Sequence, residues 1–419
     1  MPARVNSAAY PHYTLISHVR LIDPAAREAE DRDLLLVRES ESAPLRLMQI
    51  GNGLKPPADA PVTRIRGSGL YACRGFVDLH FHLCEPGAMY KEDIRTALTA
   101  AASGGYGDLL AIPSPDVIWN EAETMDYIAS NAAGRLPLRV APPLTKGGKG
   151  VELADFDNLI AHGAAAFYDD GIASPALLYT AMVELARRGA LLVLRPHAPL
   201  EGASAPLKTA RTAEAAAVAA ALAMAELTGC RLHLTVISTA LSVELIRSAK
   251  SRGVAVTCDT APQYFTLTRT DLLYYGNLAK VEPPLVSAAD RDAIICGLAD
   301  GTIDCIVSDH TPQTAADKKK ATAEAPAGMI GIQTVFALGM RELVLTGKLD
   351  LYRLIALISE NPARILGLSP VLSVGEEAKI ALLDLSREYT LTAPLLDSKV
   401  KTCPWVGQMF QGMVKRTVV

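Results

Sequence analysis

From Gly75 to His310 the chain alternates short apolar runs with longer, Ala-rich amphipathic stretches. The apolar runs are "GFVDLHFHL", "GDLLAIPSP", "LRVAPPLT", "AAAFYDD", "ALLVLRPHA", "RLHLTVIST", "GVAVTCDTAP" and "IDCIVSDH". Their length and bounding turn residues read as strands. The stretches between them include "EDIRTALTAAASGG", "ASPALLYTAMVELARRG" and "TAEAAAVAAALAMAELTG", each ending in Gly as helix C-termini often do. Eight such strands with helices between them predict an α/β fold, a (β/α)8 TIM barrel. The chain ends read differently. "YTLISHVRLID", "DLLLVRES" and "LRLMQIG" are short strands broken by Pro, Gly and acidic turns, and after "NPARILGL" strand-like text returns in "AKIALLDLS" and "VGQMFQGMVKRTVV". The two ends are expected to pair in one small β domain, residues 1–72 with 370–419, beside a barrel spanning 73–369.

Composition narrows the partners. A chain of 419 residues exceeds the size at which one core usually stops growing, which suits a barrel with an addition. With 21% charged residues and a net charge of −4 there is no basic field for nucleic acid or an anionic membrane, so a small molecule or another protein is implied. Seven scattered cysteines without a CxxC pair argue against a disulfide framework or a zinc knuckle and fit a reducing cytosol. The N-terminus lacks a signal-type apolar core, and the longest small-apolar run, "AAAVAAALAMA", is too short to cross a bilayer, so a soluble cytoplasmic protein is expected.

In a (β/α)8 barrel the chemistry collects at the C-terminal ends of the strands. Alternation along the first run puts Asp78, His80, His82 and Cys84 on one face, where two imidazoles can chelate one metal. A hydrogen-bonded histidine pair in a core would give the same spacing. Asp169 and Asp170 close another run, and one of them should face inward, although adjacent acids before Gly also suit a solvated turn. His197 closes a further run, and Asp309 closes the last with His310 outside it. Together these match the ligand set of a catalytic zinc site, in which an aspartate can also take a proton from water.

The stretches "GFVDLHFHLCEPG", "KGGKGVEL", "FYDDG", "LVLRPHA", "ISTALSVELIRSAKSRGVAVTCDTAP", "KVEPPL", "DGTIDCIVSDHTP", "NPARILGL" and "SKVKTCPWVG" make the chain resemble the dihydroorotases of the amidohydrolase superfamily, over nearly its whole length. The resemblance implies hydrolysis of a cyclic amide C–N bond. "DDG" matches the branch in which an aspartate, rather than the carboxylated lysine of hydantoinases, bridges two metals. Asp170 stands 27 residues before His197, the family's separation, and is chosen over Asp169. By matched position His80, His82 and Asp309 would hold the first zinc, Asp170 would bridge, His197 would hold the second, and Asp309 would be the catalytic proton carrier.

The match has gaps. Where the family has a further metal histidine, "VIST" has Val236; His233, three residues earlier, falls on the opposite strand face and reads as structural. Two protein ligands are few for a second ion, so one Zn2+ is expected rather than two. On the substrate side the family's carboxylate-gripping arginine is Cys84, an asparagine is Ser114, "NPPLR" reads "EPPLV" with Glu282 and Val286, and histidines are replaced by Gln313 and Gln263. Cys84 reads first as a small residue filling the space of the arginine, with a thiolate zinc ligand near His80 and His82 or a nucleophile as the other readings. Loss of that arginine alone costs about 1.5–3 kcal/mol, or roughly ten- to 150-fold in binding a carboxylate. Two functions therefore stand as expectations. One is a zinc amidohydrolase acting on a less acidic cyclic amide and impaired toward dihydroorotate. The other is a non-catalytic dihydroorotase homologue serving assembly or regulation beside aspartate transcarbamoylase in pyrimidine biosynthesis. A homo-oligomer is expected in either case.

Overall fold

The computed structural model describes residues 10–114, 119, 122–171, 173–197 and 207–419. Each of the eight apolar runs contains one strand of a parallel barrel: Phe76–Leu83, Tyr106–Pro113, Leu138–Val140, Phe167–Asp169, Leu191–Leu194, Arg231–Leu234, Val256–Thr260 and Cys305–Ile306. The first three form one arc and the last five another. Parallel bridges Pro143–Tyr168 and Phe81–His310 join the arcs at both seams. Spatial order thus follows chain order around the ring, as right-handed βα crossovers require.

The helices between them begin and end on side chains the sequence supplies. Asp93 caps Ile94–Ser103 by accepting from the Thr96 amide, and Ser174 caps Pro175–Arg187 by accepting from the Leu177 amide. The long Ala-rich helix runs from Leu207 to Thr228, starting earlier than its periodic core "TAEAAAVAAALAMAELTG".

The chain ends meet in a separate sheet. Its strands run in the order Met409–Val418, Ile380–Thr390, Tyr71–Arg74, His12–Asp23, Glu28–Arg38, Arg46–Gly51, with Val62–Arg66 also paired to His12–Asp23. Ile380–Thr390 lies antiparallel to Tyr71–Arg74 with Ile380 opposite Arg74. One apolar cluster, including Ile16, Val19, Leu34, Leu36, Ile380 and Leu382, fills this sheet's inner face, while a much larger one fills the barrel and the space under its helices. Strand ends facing away from the small sheet are left to build a site. Among the described residues no helix is long and apolar enough to cross a membrane.

Candidate metal centre

The strand Phe76–Leu83 is buried along its whole length, so its polar face has no solvent to satisfy it. Asp78 lies lowest. Its Oδ1 accepts from the amides of His80 (3.2 Å) and Ser308 (3.0 Å), and the Ser308 hydroxyl donates to Oδ2. This ties the first strand to the segment carrying Asp309. Burial pushes Asp78 up to about 7 against these hydrogen bonds.

Above it, His80, His82 and Asp309 converge, with their ligand atoms all within 4.8 Å of one another. The hydrogen bonds behind the rings determine which nitrogens face the gap. The His82 Nδ1 lies 2.8 Å from the Pro113 carbonyl oxygen, which can only accept, so Nδ1 carries the hydrogen and Nε2 is left with its lone pair. The Thr235 hydroxyl donates to Asp259 Oδ2 (2.9 Å), so its oxygen must accept from His80 Nδ1 at 2.8 Å. His80 Nε2 is therefore also a bare lone pair, buried, without a hydrogen-bond partner, and 3.5 Å from Asp309 Oδ1. Burial holds His80 well below the usual histidine range, and it pushes His82 down to about 4, with the Arg195 charge adding to both. Two neutral imidazole lone pairs, fixed by the hydrogen bonds behind the rings, and a carboxyl oxygen share one buried point, and a cation is what such a point accepts. The three residues fit a divalent metal ion.

Asp309 is also held from the other side. Gln263 Nε2 donates to its Oδ2 at 2.5 Å, and its backbone sits at φ +46, in the left-handed region. Burial pushes its carboxyl up to about 7 in the absence of a cation, against the opposing effect of Arg195. Val236 is left-handed too, at φ +59, and its amide donates to Asp259 Oδ1 at 2.6 Å. A β-branched residue is strained there, so the turn is imposed by its surroundings.

Asp170 and His197 stand outside this group of three. Asp170 is gripped by Arg195 in a two-pronged ion pair, Nε on Oδ1 and Nη2 on Oδ2, the latter at 2.5 Å. Arg195 is itself buried, and its Nη1 donates to the Glu282 carbonyl at 3.1 Å. His197 is half-exposed, its Nδ1 lying 3.7 Å from Glu282 Oε1. Of the positions matched to substrate binding, Cys84, Ser114 and Gln313 are buried and Glu282 is part-exposed. Gln313 turns its Nε2 to the Ala327 carbonyl at 2.9 Å.

His233 is buried with both ring nitrogens engaged, Nδ1 with Thr257 Oγ1 and Nε2 with Asp259 Oδ2, each at 2.8 Å. It forms a second close group with Asp259 and Cys305, in which both ring nitrogens of His233 are already taken by hydrogen bonds. Sequence reasoning passed over Arg195 and Asp259. Arg195 sits inside the run "LVLRPHA", two residues before His197 and hence on its face, and a charge ending an apolar strand was the available signal.

The amidohydrolase family model matches residues 71–419. A curated dihydroorotase of Citrifermentans bemidjiense is 37% identical, with 97% of each chain covered, and one of Geobacter sp. is 36% identical, again over 97% of each. Among solved structures, the L-hydantoinase (dihydropyrimidinase) of Arthrobacter aurescens superposes with a TM-score of 0.84 at 24% identity, covering 97% of this chain and 94% of that one. The dihydropyrimidinase of Brevibacillus agri gives 0.82 at 21% identity, with 97% and 93% covered. At these identities the structural likeness speaks for the fold.

Proposed function

The chain belongs to the amidohydrolase family, and from that premise we propose that it hydrolyses the C–N bond of a cyclic amide or ureide lacking a carboxylate, using one zinc ion held by His80, His82 and Asp309. The observation that carries this reading is the convergence of three buried ligand atoms, two of them imidazole nitrogens whose lone pairs are fixed by Pro113 and Thr235. A divalent ion held there would supply a more acidic water and a polarised carbonyl. In ring opening the water oxygen bonds to the carbonyl carbon and the C–N bond breaks. Asp309 takes the water's proton at a carboxylate oxygen and returns it to the leaving nitrogen. Gln263 keeps that carboxylate oriented throughout.

The substrate side argues for an uncharged ring. Cys84, Ser114 and Gln313 offer no cation, Glu282 brings a carboxylate to the mouth, and the charge of Arg195 is matched by Asp170. The test is a ring-opening panel on zinc-replete protein with dihydrouracil, hydantoin and dihydroorotate. Turnover of an uncharged ring, with dihydroorotate at least tenfold poorer in kcat/KM, is expected; dihydroorotate as the best substrate would defeat the proposal.

A second reading, a non-catalytic partner of aspartate transcarbamoylase, draws support from Val236 and from the ion pair on Asp170, which together take two matched ligand positions out of use. A silent panel with copurification of that enzyme would favour it.

A further inference from the structure

The ends of the fourth, fifth and sixth barrel strands meet where a second metal ion would have to sit, and the residues there do not fit one. A second ion needs Asp170 as a ligand, yet both carboxylate oxygens of Asp170 face the Arg195 guanidinium. It also needs an imidazole from the sixth strand's end, where Val236 presents a fully buried aliphatic side chain. His197 alone remains, and it lies beside Glu282.

Arg195 is built into this place. Its amide donates to the Asp169 carbonyl at 2.9 Å and its Nη1 to the Glu282 carbonyl at 3.1 Å, so backbone from two other barrel segments fixes both ends of the side chain. The guanidinium stays charged at any working pH and matches a carboxylate in a planar, two-pronged fit that a metal would have to break. Its charge reaches the first position as well, acting on His80, His82 and Asp309.

We infer that the Arg195 guanidinium is the permanent cation of the second metal position, so that Asp170 is neutralised by the protein itself and the site takes one divalent ion and no second. The inference rests on the reading of His80, His82 and Asp309 as ligands of that one ion. Among the described residues, Asp170 and Glu282 engage three of the five guanidinium N–H groups, and the other two could meet a substrate oxygen at the place where a second ion would have polarised it.

The test is metal stoichiometry. Apo-protein is titrated with Zn2+ and the bound ion counted by mass spectrometry after desalting, for the wild type, Val236→His and the double variant Arg195→Met/Val236→His. One ion per chain is expected for the wild type and for Val236→His, and two for the double variant. A second ion in the wild type or in Val236→His would overturn the inference, because Arg195 would then not be what excludes it. A natively folded double variant that stays at one ion would overturn it equally. Should the double variant not fold, wild-type crystals soaked in excess Co2+ decide: an ion at His80, His82 and Asp309 with the Arg195–Asp170 pair intact supports the inference, and an ion on Asp170 sinks it. A wild type that takes no ion defeats the first position and the proposed function with it, whereas two ions defeat the role of Arg195 alone.

Discussion

Thr235 decides which nitrogen of His80 carries hydrogen, and so leaves Nε2 as the atom the proposed zinc would meet. Outer partners of this kind orient the ring, and their loss typically weakens metal binding about 10- to 100-fold. Thr235→Val keeps the shape and removes the hydroxyl, so zinc affinity measured against a chromophoric chelator should fall by roughly that factor, and Thr235→Ser should restore it. His80→Ala, by contrast, should abolish stoichiometric zinc; full occupancy in that variant would show that the ion sits elsewhere. The H-x-H spacing made His80 and His82 legible in the sequence, because strand alternation alone puts them on one face. Arg195 was not legible in the same way. A pair formed across two strands, such as Arg195 with Asp170, leaves no spacing signature in either one.

At the scale of elements, the turn "DDG" shows why local sequence and tertiary contact must be read together. Gly171 has φ +68, and a Cβ added there would lie 2.0 Å from the His197 carbonyl oxygen, so beside the Arg195–Asp170 pair the exits of the fourth and fifth strands also meet backbone to backbone. Gly189 provides the control, with φ +62 and open space where a Cβ would stand. Gly189→Ala should cost about 1–2 kcal/mol from conformation alone. Gly171→Ala should cost about 1–3 kcal/mol more, since backbone must also move. Urea midpoints of the two variants check this, and equal shifts would mean that the contact yields without strain. Strands such as Tyr106–Pro113 and Leu191–Leu194 were legible as nearly continuous apolar runs, whereas Arg231–Leu234 and Val256–Thr260 carry polar residues and were legible by their place in the strand-helix alternation. The left-handed turn at Val236 was not, since a β-branched residue gives no local hint of φ +59; the Asp259 carboxylate accepting its amide is part of what holds it.

For the whole molecule, one buried charge is among the contacts that join the barrel to the sheet made from both chain ends, beside apolar packing that includes Ile22, Ala381, Leu383 and Phe410. Asp108, fully buried on the second barrel strand, accepts from Arg139 on the third strand at 2.6 Å, from Arg74 at the end of a small-sheet strand at 2.9 Å, and from Lys379 just before another at 2.8 Å. The cluster lies at the opposite end of the barrel from the metal centre, so stability and chemistry are separable. Asp108→Asn leaves three cations facing a neutral amide, and removing one partner of a buried ion network typically costs about 3–5 kcal/mol. The urea midpoint should fall accordingly while the folded variant still binds one zinc per chain. Because the lost charge couples the small sheet to the barrel, the far-UV signal and zinc release should move to lower urea together. If zinc release kept its wild-type midpoint while the far-UV signal shifted, the barrel would be holding itself together without the chain ends, and Asp108 would be no more than a local contact.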